Sequence, residues 1–263
     1  MPRPSRAAET GVLRAPVLPV DLRVEGLAKS FGDTHIFEDI SFGLSQSEAV
    51  ALVGANGTGK STLLRCLMGL IPADRGRIVT LGTEVTAQRP KELRAMRAQI
   101  GLVSQKHNLV PRLSVLSNVV QGLLGKSPGP RHWSQSFAPA AAREAAMGAL
   151  EKVGLAHLAA RRADRLSGGQ SQRVAIARAL VGAPKILIAD EPTASLDPAA
   201  GEDVMELFFQ LAREEGVTVI FISHNISHAL RYGDRVLGLA DRRLTLDSRA
   251  DALSEAELRE LYD

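Results

Sequence analysis

Cysteine is almost missing from this chain: Cys66 is the only one in 263 residues. One thiol excludes an internal disulfide framework, and Leu63, Leu64, Leu67 and Met68 around it on a predicted helix mark it as a buried, inert group. Long apolar runs are missing too. No segment approaches the roughly 18 consecutive apolar residues that signal a membrane-spanning helix. Residues 1–19 carry arginines and prolines but lack the continuous apolar core of a secretory signal, so the chain is expected to stay in the cytosol. Nor is there a marked excess of one charge: 32 basic against 29 acidic residues leave +3, too little to point to nucleic acid as a partner. What remains is 45% hydrophobic residues, enough in a chain of this length to bury roughly three quarters of its unfolded surface.

The pattern divides the chain unevenly. Residues 1–20, with prolines at 2, 4, 16 and 19 and no hydrophobic period, read as a tail ahead of a fold that begins at Asp21. Alternating segments up to residue 48, such as 22–27 and 36–42, predict half-exposed antiparallel strands. Ala49 to Val53 predicts a buried strand entering a glycine loop, with a helix over Ser61 to Leu70. Ile100 to Ser104, Ile186 to Ala189, Val217 to Ile222 and Arg235 to Leu239 are short apolar runs of the kind found in a parallel sheet covered on both faces. Residues 106–165 carry helical patterns, notably Ala140 to Val153, interrupted by the Pro- and Gly-bearing stretch Gly125 to Pro130; this span reads as a helical insertion into an α/β core.

The glycine loop Gly54-Ala55-Asn56-Gly57-Thr58-Gly59-Lys60-Ser61-Thr62 fits G-x-x-x-x-G-K-S between a strand and a helix. Such a backbone curls its N–H groups around phosphate oxygens, and the helix start adds positive potential. Lys60 is expected to reach the β and γ phosphates and the Ser61 hydroxyl to ligate magnesium. Asp190 closes an apolar strand at the sheet edge where ligands of open α/β sheets bind, as a magnesium partner. Glu191, on the opposite side of an extended chain, is expected to take a proton from attacking water. Asp197-Pro198 supplies a helix cap with proline at the first helical position. His224 and Gln105 end two further strands at the same edge, one to approach the γ-phosphate, the other to ligate magnesium and sense nucleotide at the entrance to the insertion. His35, His107, His132, His157 and His228 are read as ordinary surface or core residues.

Together with Leu166-Ser167-Gly168-Gly169-Gln170 and Ser195-Leu196-Asp197, this ordered set resembles the ATP-binding subunit of ATP-binding cassette (ABC) transporters over about residues 21–263. The resemblance implies an α/β, P-loop NTPase (RecA-like) parallel sheet core with an antiparallel β subdomain and an inserted helical subdomain at about 106–165. It implies ATP and Mg2+ as cofactors. It also implies a homodimer in which Ser167, Gly168, Gly169 and Gln170 bind in trans the nucleotide held by the other subunit, Asp197 couples the two subunits, and Phe31 stacks on adenine. A helix N-terminus at Ser167 agrees with phosphate binding.

Several stretches resemble the ATPase subunit of phosphonate importers: 108–119, Trp133 to Phe137, 194–198, 229–239 and 258–262. Departures are Ser104-Gln105-Lys106-His107, where aromatics more often flank the glutamine, Ser171 after the signature, and the extra tail. The resemblance implies a peripheral subunit on the cytoplasmic face of the inner membrane, bound to integral-membrane permease subunits and served indirectly by an extracytoplasmic solute-binding protein. Other solutes, a single-cassette exporter and a soluble non-transport cassette are the alternatives. The apolar segment Asn108 to Gly122 is expected to pack partly inward and partly to form a groove for a permease helix, with Leu109 and Val110 exposed.

Overall fold

The computed structural model describes residues 20–87, 89–126 and 129–262; the tail expected over residues 1–20 lies, apart from Val20, outside the described residues. Val20 already belongs to the first strand, one residue ahead of the expected start. Strands β1 (Val20–Phe31) and β2 (Thr34–Ser45) pair antiparallel, and β4 (Arg75–Thr80) and β5 (Thr83–Glu84) complete a four-stranded sheet in the order β2-β1-β4-β5. The sequence pattern did not mark β4: three of its six residues face solvent, so its apolar signal reduces to Ile78 and Val79. The second sheet contains β3 (Ala49–Val53), β6 (Ile100–Ser104), β7 (Ile186–Asp190), β8 (Thr218–Ile222) and β9 (Arg235–Ala240), all parallel, with β10 (Arg243–Arg249) added antiparallel in the order β10-β9-β3-β8-β7-β6.

Burial on both faces explains why four of the parallel strands read as unbroken apolar runs; β6, at the sheet edge, leaves Leu102 exposed. Side chains alternate between faces along a strand, and each face here meets its own core. Val50, Leu52, Ile186, Ile188, Ile220, Ile222, Leu237 and Leu239 pack toward the antiparallel sheet and helix α1 (Lys60–Leu67). Ala51, Val53, Leu187, Ala189, Val219, Phe221 and Val236 pack toward helices α4 (Ala140–Lys152), α5 (Gly168–Leu180), α6 (Pro198–Glu214) and α7 (Ile226–Tyr232). Cys66 lies inside the first of these cores, and burial pushes its thiol up to about 11.

Residues 106–165 contain helix α3 (Val115–Val120), α4 and several single 3-10 turns among the described residues. The expected split of residues 108–122 shifts inward. Val115, Leu116, Val119 and Val120 are buried and Leu109 packs against the core, which leaves Val110 as the exposed apolar side chain of that segment, at 40%. The reason is Asn118, fully buried, whose side-chain amide accepts from the Val110 N–H and donates to the Val110 carbonyl, folding the loop back onto α3.

The second core centres on rings. Phe209 stacks on Tyr232 at 4.8 Å and meets Phe221 edge-on at 4.8 Å. Phe221→Ala should therefore cost about 3–5 kcal/mol, read as a lower denaturant midpoint at unchanged slope. Phe31→Ala should change stability by less than about 0.5 kcal/mol, because that ring is 51% exposed and belongs to neither core.

Candidate functional site

Parallel register puts the candidate residues together. Ser104 pairs with Asp190, Asp190 with Ile222, and Leu52 with Ile222, so the chain leaves β3, β6, β7 and β8 at a common edge. Gly54, Gln105, Glu191 and His224 all follow within two residues of those strand ends.

The glycine loop is fixed by close approach. At Gly54, with φ 139°, a Cβ would stand 2.2 Å from the Leu239 carbonyl oxygen, and at Gly59, with φ 100°, one would meet Ile36 Cγ2 at 2.5 Å. Only glycine fits either position. Helix α1 begins at Lys60, one residue before its expected start. Lys60 is buried, and its ammonium donates to the carbonyls of Gly54 (2.7 Å) and Ala55 (2.8 Å). Burial lowers its pKa, against the pull of Glu191 and Asp190 that raises it. Thr58 Oγ1 donates to the Ala55 carbonyl at 3.0 Å and holds the loop's curl.

Two side-chain pairs join the loop to the strand ends. Ser61 Oγ donates to Asp190 Oδ1 at 3.0 Å. Burial raises the Asp190 pKa, opposed by the Ser61 bond and reinforced by Glu191. Glu191 Oε1 lies 2.6 Å from His224 Nε2. The expected extended geometry at Glu191 fails: its φ is 51°, and its N–H donates to the Ile222 carbonyl at 3.2 Å. The chain turns there because it must leave β7 toward Pro192 while staying bonded to β8, and this turn brings the carboxylate onto His224.

Oxygen donors from Ser61 and Asp190 suit a hard divalent cation that takes its remaining ligands from phosphates and water. Gln105 is exposed beyond β6, and Ser104 Oγ donates to the Lys106 carbonyl at 2.9 Å to shape that exit. Asp197 Oδ1 accepts from the Ala200 N–H at 3.0 Å, the expected cap of α6. It lines, with Glu191, Leu196, Glu202, His224 and His228, a cavity of about 370 Å³.

The signature stands apart from this group. Ser167 caps α5: its hydroxyl accepts from the Gln170 N–H at 3.2 Å, and Gln170 Oε1 accepts from the Ser167 N–H at 3.1 Å. Ser167 and Gly168 are exposed, and among the described residues no hydrogen bond joins positions 166–170 to the glycine loop, Asp190 or Glu191. Phe31 is exposed at the end of β1, with Lys29 Nζ 5.1 Å from its ring centroid. Two groups escaped the sequence reading. Tyr262 donates its hydroxyl to the Ser223 carbonyl at 3.2 Å, and Glu202 accepts from Tyr232 Oη at 2.6 Å and lies 3.0 Å from His228 Nε2. Both are contacts between residues distant in sequence, which no local pattern signals.

Comparison with known proteins agrees with this geometry. The family model described as "ABC transporter" matches residues 37–194. The chain is 47% identical to the phosphonates import ATP-binding protein PhnC of Bradyrhizobium diazoefficiens over 92% of its own length and 90% of that protein's. It is also 47% identical to the PhnC of Stutzerimonas stutzeri, with 92% and 89% covered. Among solved structures it resembles cbiO1 from Clostridium perfringens, part of the ABC transporter complex cbiONQ, at TM-score 0.78 and 32% identity over 92% and 93% of the two chains. It also resembles the ATP-binding cassette MJ0796, in a dimeric post-hydrolysis state bound to ADP and Pi, at TM-score 0.75 and 31% identity over 87% and 98%. A glycine loop closing on a buried lysine, a strand-end acid pair and a separate capped signature helix thus coincide with sequence likeness over nine-tenths of the molecule, and the chain belongs to the ABC transporter family as an ATP-hydrolysing cassette.

Proposed function

We propose that the protein is the ATPase subunit of a phosphonate importer, a homodimer on the cytoplasmic face of the inner membrane that drives permease subunits supplied by an extracytoplasmic binding protein. The observation that carries the catalytic part is the pair of contacts Ser61–Asp190 and Glu191–His224 beside buried Lys60 at one sheet edge. The solute is supported by the PhnC relatives, at 43–47% identity. No helix of the described residues is long and apolar enough to cross a membrane, so the membrane path belongs to other subunits in this reading.

Residues 54–62 wrap the phosphates with backbone N–H groups. Lys60, freed from its own loop carbonyls, meets the β and γ oxygens in a site where water competes weakly. Ser61, Asp190 and Gln105 would hold Mg2+, which supplies charge neutralisation on the phosphates. Phe31 offers its exposed ring to adenine. Glu191 accepts a proton from water as that oxygen bonds to the γ phosphorus and the bond to the ADP oxygen breaks. His224 Nε2 keeps the carboxylate aimed. Ser167 and Gly168, which are exposed, and the half-buried Gly169 and Gln170 need a second copy to reach a nucleotide: head-to-tail closure sets them on the partner's γ-phosphate, with Asp197 at the seam. Closure is a shift of population, so ATP must favour the closed dimer by several kcal/mol to complete it.

Glu191→Gln should retain ATP binding, slow hydrolysis by about 10²–10⁴-fold and accumulate ATP-bound dimers in gel filtration; near-normal turnover would remove Glu191 from the base role. Lys60→Ala should abolish ATP binding by the monomer, whereas Ser167→Arg should keep it and lose closure and hydrolysis. Equal loss of monomer affinity in both variants contradicts the in-trans role of Ser167. Val110→Glu should release the subunit from permease-containing membranes at an unchanged melting temperature. Co-purification with the permease and binding protein, followed by ATPase assays with phosphonates and with other oxyanions, identifies the solute by which ligand stimulates turnover.

A further inference from the structure

Arg178 lies eleven residues beyond Ser167 on α5, the helix that the signature caps. Its guanidinium donates from Nη1 to the Asn108 carbonyl at 2.7 Å and from Nη2 to the His107 carbonyl at 2.6 Å. A planar fork matches two successive carbonyls in a way that a lysine ammonium does not. Those carbonyls belong to the chain two and three residues beyond Gln105, where Asn108 holds a left-handed φ of 51°. Burial depresses the Arg178 pKa, and among the described residues no acidic side chain pairs with it, so the two carbonyls are the partners of its guanidinium.

Two other segments close on the same turn. At Gly122, just after α3, an added Cβ would stand 2.2 Å from the Arg178 carbonyl oxygen, and at Gly101 in β6 one would stand 2.7 Å from the Ala179 carbonyl oxygen. The strand that leads to Gln105, the loop that leaves it and the far end of α3 are thus all fastened to residues 178–179.

We propose that Arg178 is a positioning residue that binds the loop after Gln105 to the signature helix, so that a displacement of Gln105 by nucleotide in one site moves Ser167 toward the nucleotide of the other. In the proposed dimer Gln105 and Ser167 address different ATP molecules, and among the described side chains it is the Arg178 fork that bonds the loop of the first to the helix of the second. The inference rests on the reading of Gln105 as the residue that responds to nucleotide.

The test is a double-mutant cycle on the full-length chain, measuring kcat, KM for ATP and the thermal midpoint. Arg178→Met should lower kcat about tenfold with KM changed less than about twofold. Its midpoint should be unchanged or higher, since a half-buried cation without an acid is a poor stabiliser. Gln105→Ala should lower kcat comparably, and the double variant should be no slower than the slower single variant. Multiplying effects, about a hundredfold in all, would show that the two residues act independently and overturn the latch. Normal turnover in Gln105→Ala would instead remove the sensing role on which the latch depends. If Arg178→Met melts early, Arg178→Lys takes its place in the cycle. The lysine keeps the charge and loses the fork, so non-additivity with Gln105→Ala supports the latch, and full activity in Arg178→Lys refutes it.

Discussion

Everything at the nucleotide edge depends on the register of five parallel strands, four of them covered on both faces. Once Asp190 is level with Ser104 on one side and Ile222 on the other, the residues that follow each strand have no choice of neighbourhood. Parallel strands point their carboxyl ends the same way, so loops separated by more than a hundred residues converge on one line. The two cores hold that register because a one-residue slip would exchange the faces of every strand.

The site then concentrates charge where water is scarce. Burial lowers the Lys60 pKa and raises that of Asp190, so each ion is held at a cost that a phosphate and a divalent cation would relieve. Such tension belongs to a binding site more than to a stabilising core. Glu191 is less buried and is tied to His224 by geometry: the left-handed turn after β7 and the end of β8 place carboxylate and imidazole together. Tyr262, from the last described turn, bonds the carbonyl just before His224 and so fixes that strand end from the far terminus.

The signature helix completes the arrangement by being elsewhere. Its capped N-terminus is exposed and its middle is buried among Val174, Ile176 and Ala177, so it is rigid where it packs and available where it begins. Gly168 nonetheless lies close to Leu196, just ahead of the Asp197 cap of α6: a Cβ there would meet Leu196 Cδ2 at 3.0 Å. The signature and the Asp197 cap therefore form one continuous surface, suited to a second copy of the chain.

By itself the sequence determined the elements whose local chemistry is unambiguous. The glycine loop, the helix start at Ser167, the Asp197-Pro198 helix start and the five apolar strands were legible because glycine conformation, cap bonding and burial leave marks on neighbouring residues. Strands β4 and β10 were not legible, since each is half-exposed and takes its support from strand pairing, β4 from β1 and the two-residue β5, β10 from β9. Only the tertiary structure decided that Glu191 turns onto His224, that Asn118 pulls the loop before α3 inward and leaves Val110 outside, and that Arg178 grips residues 107–108. Each of these is a polar contact between segments brought together by packing. A hydrogen bond across space is chosen by the geometry of both partners, and a linear pattern carries the residues of each without their distance.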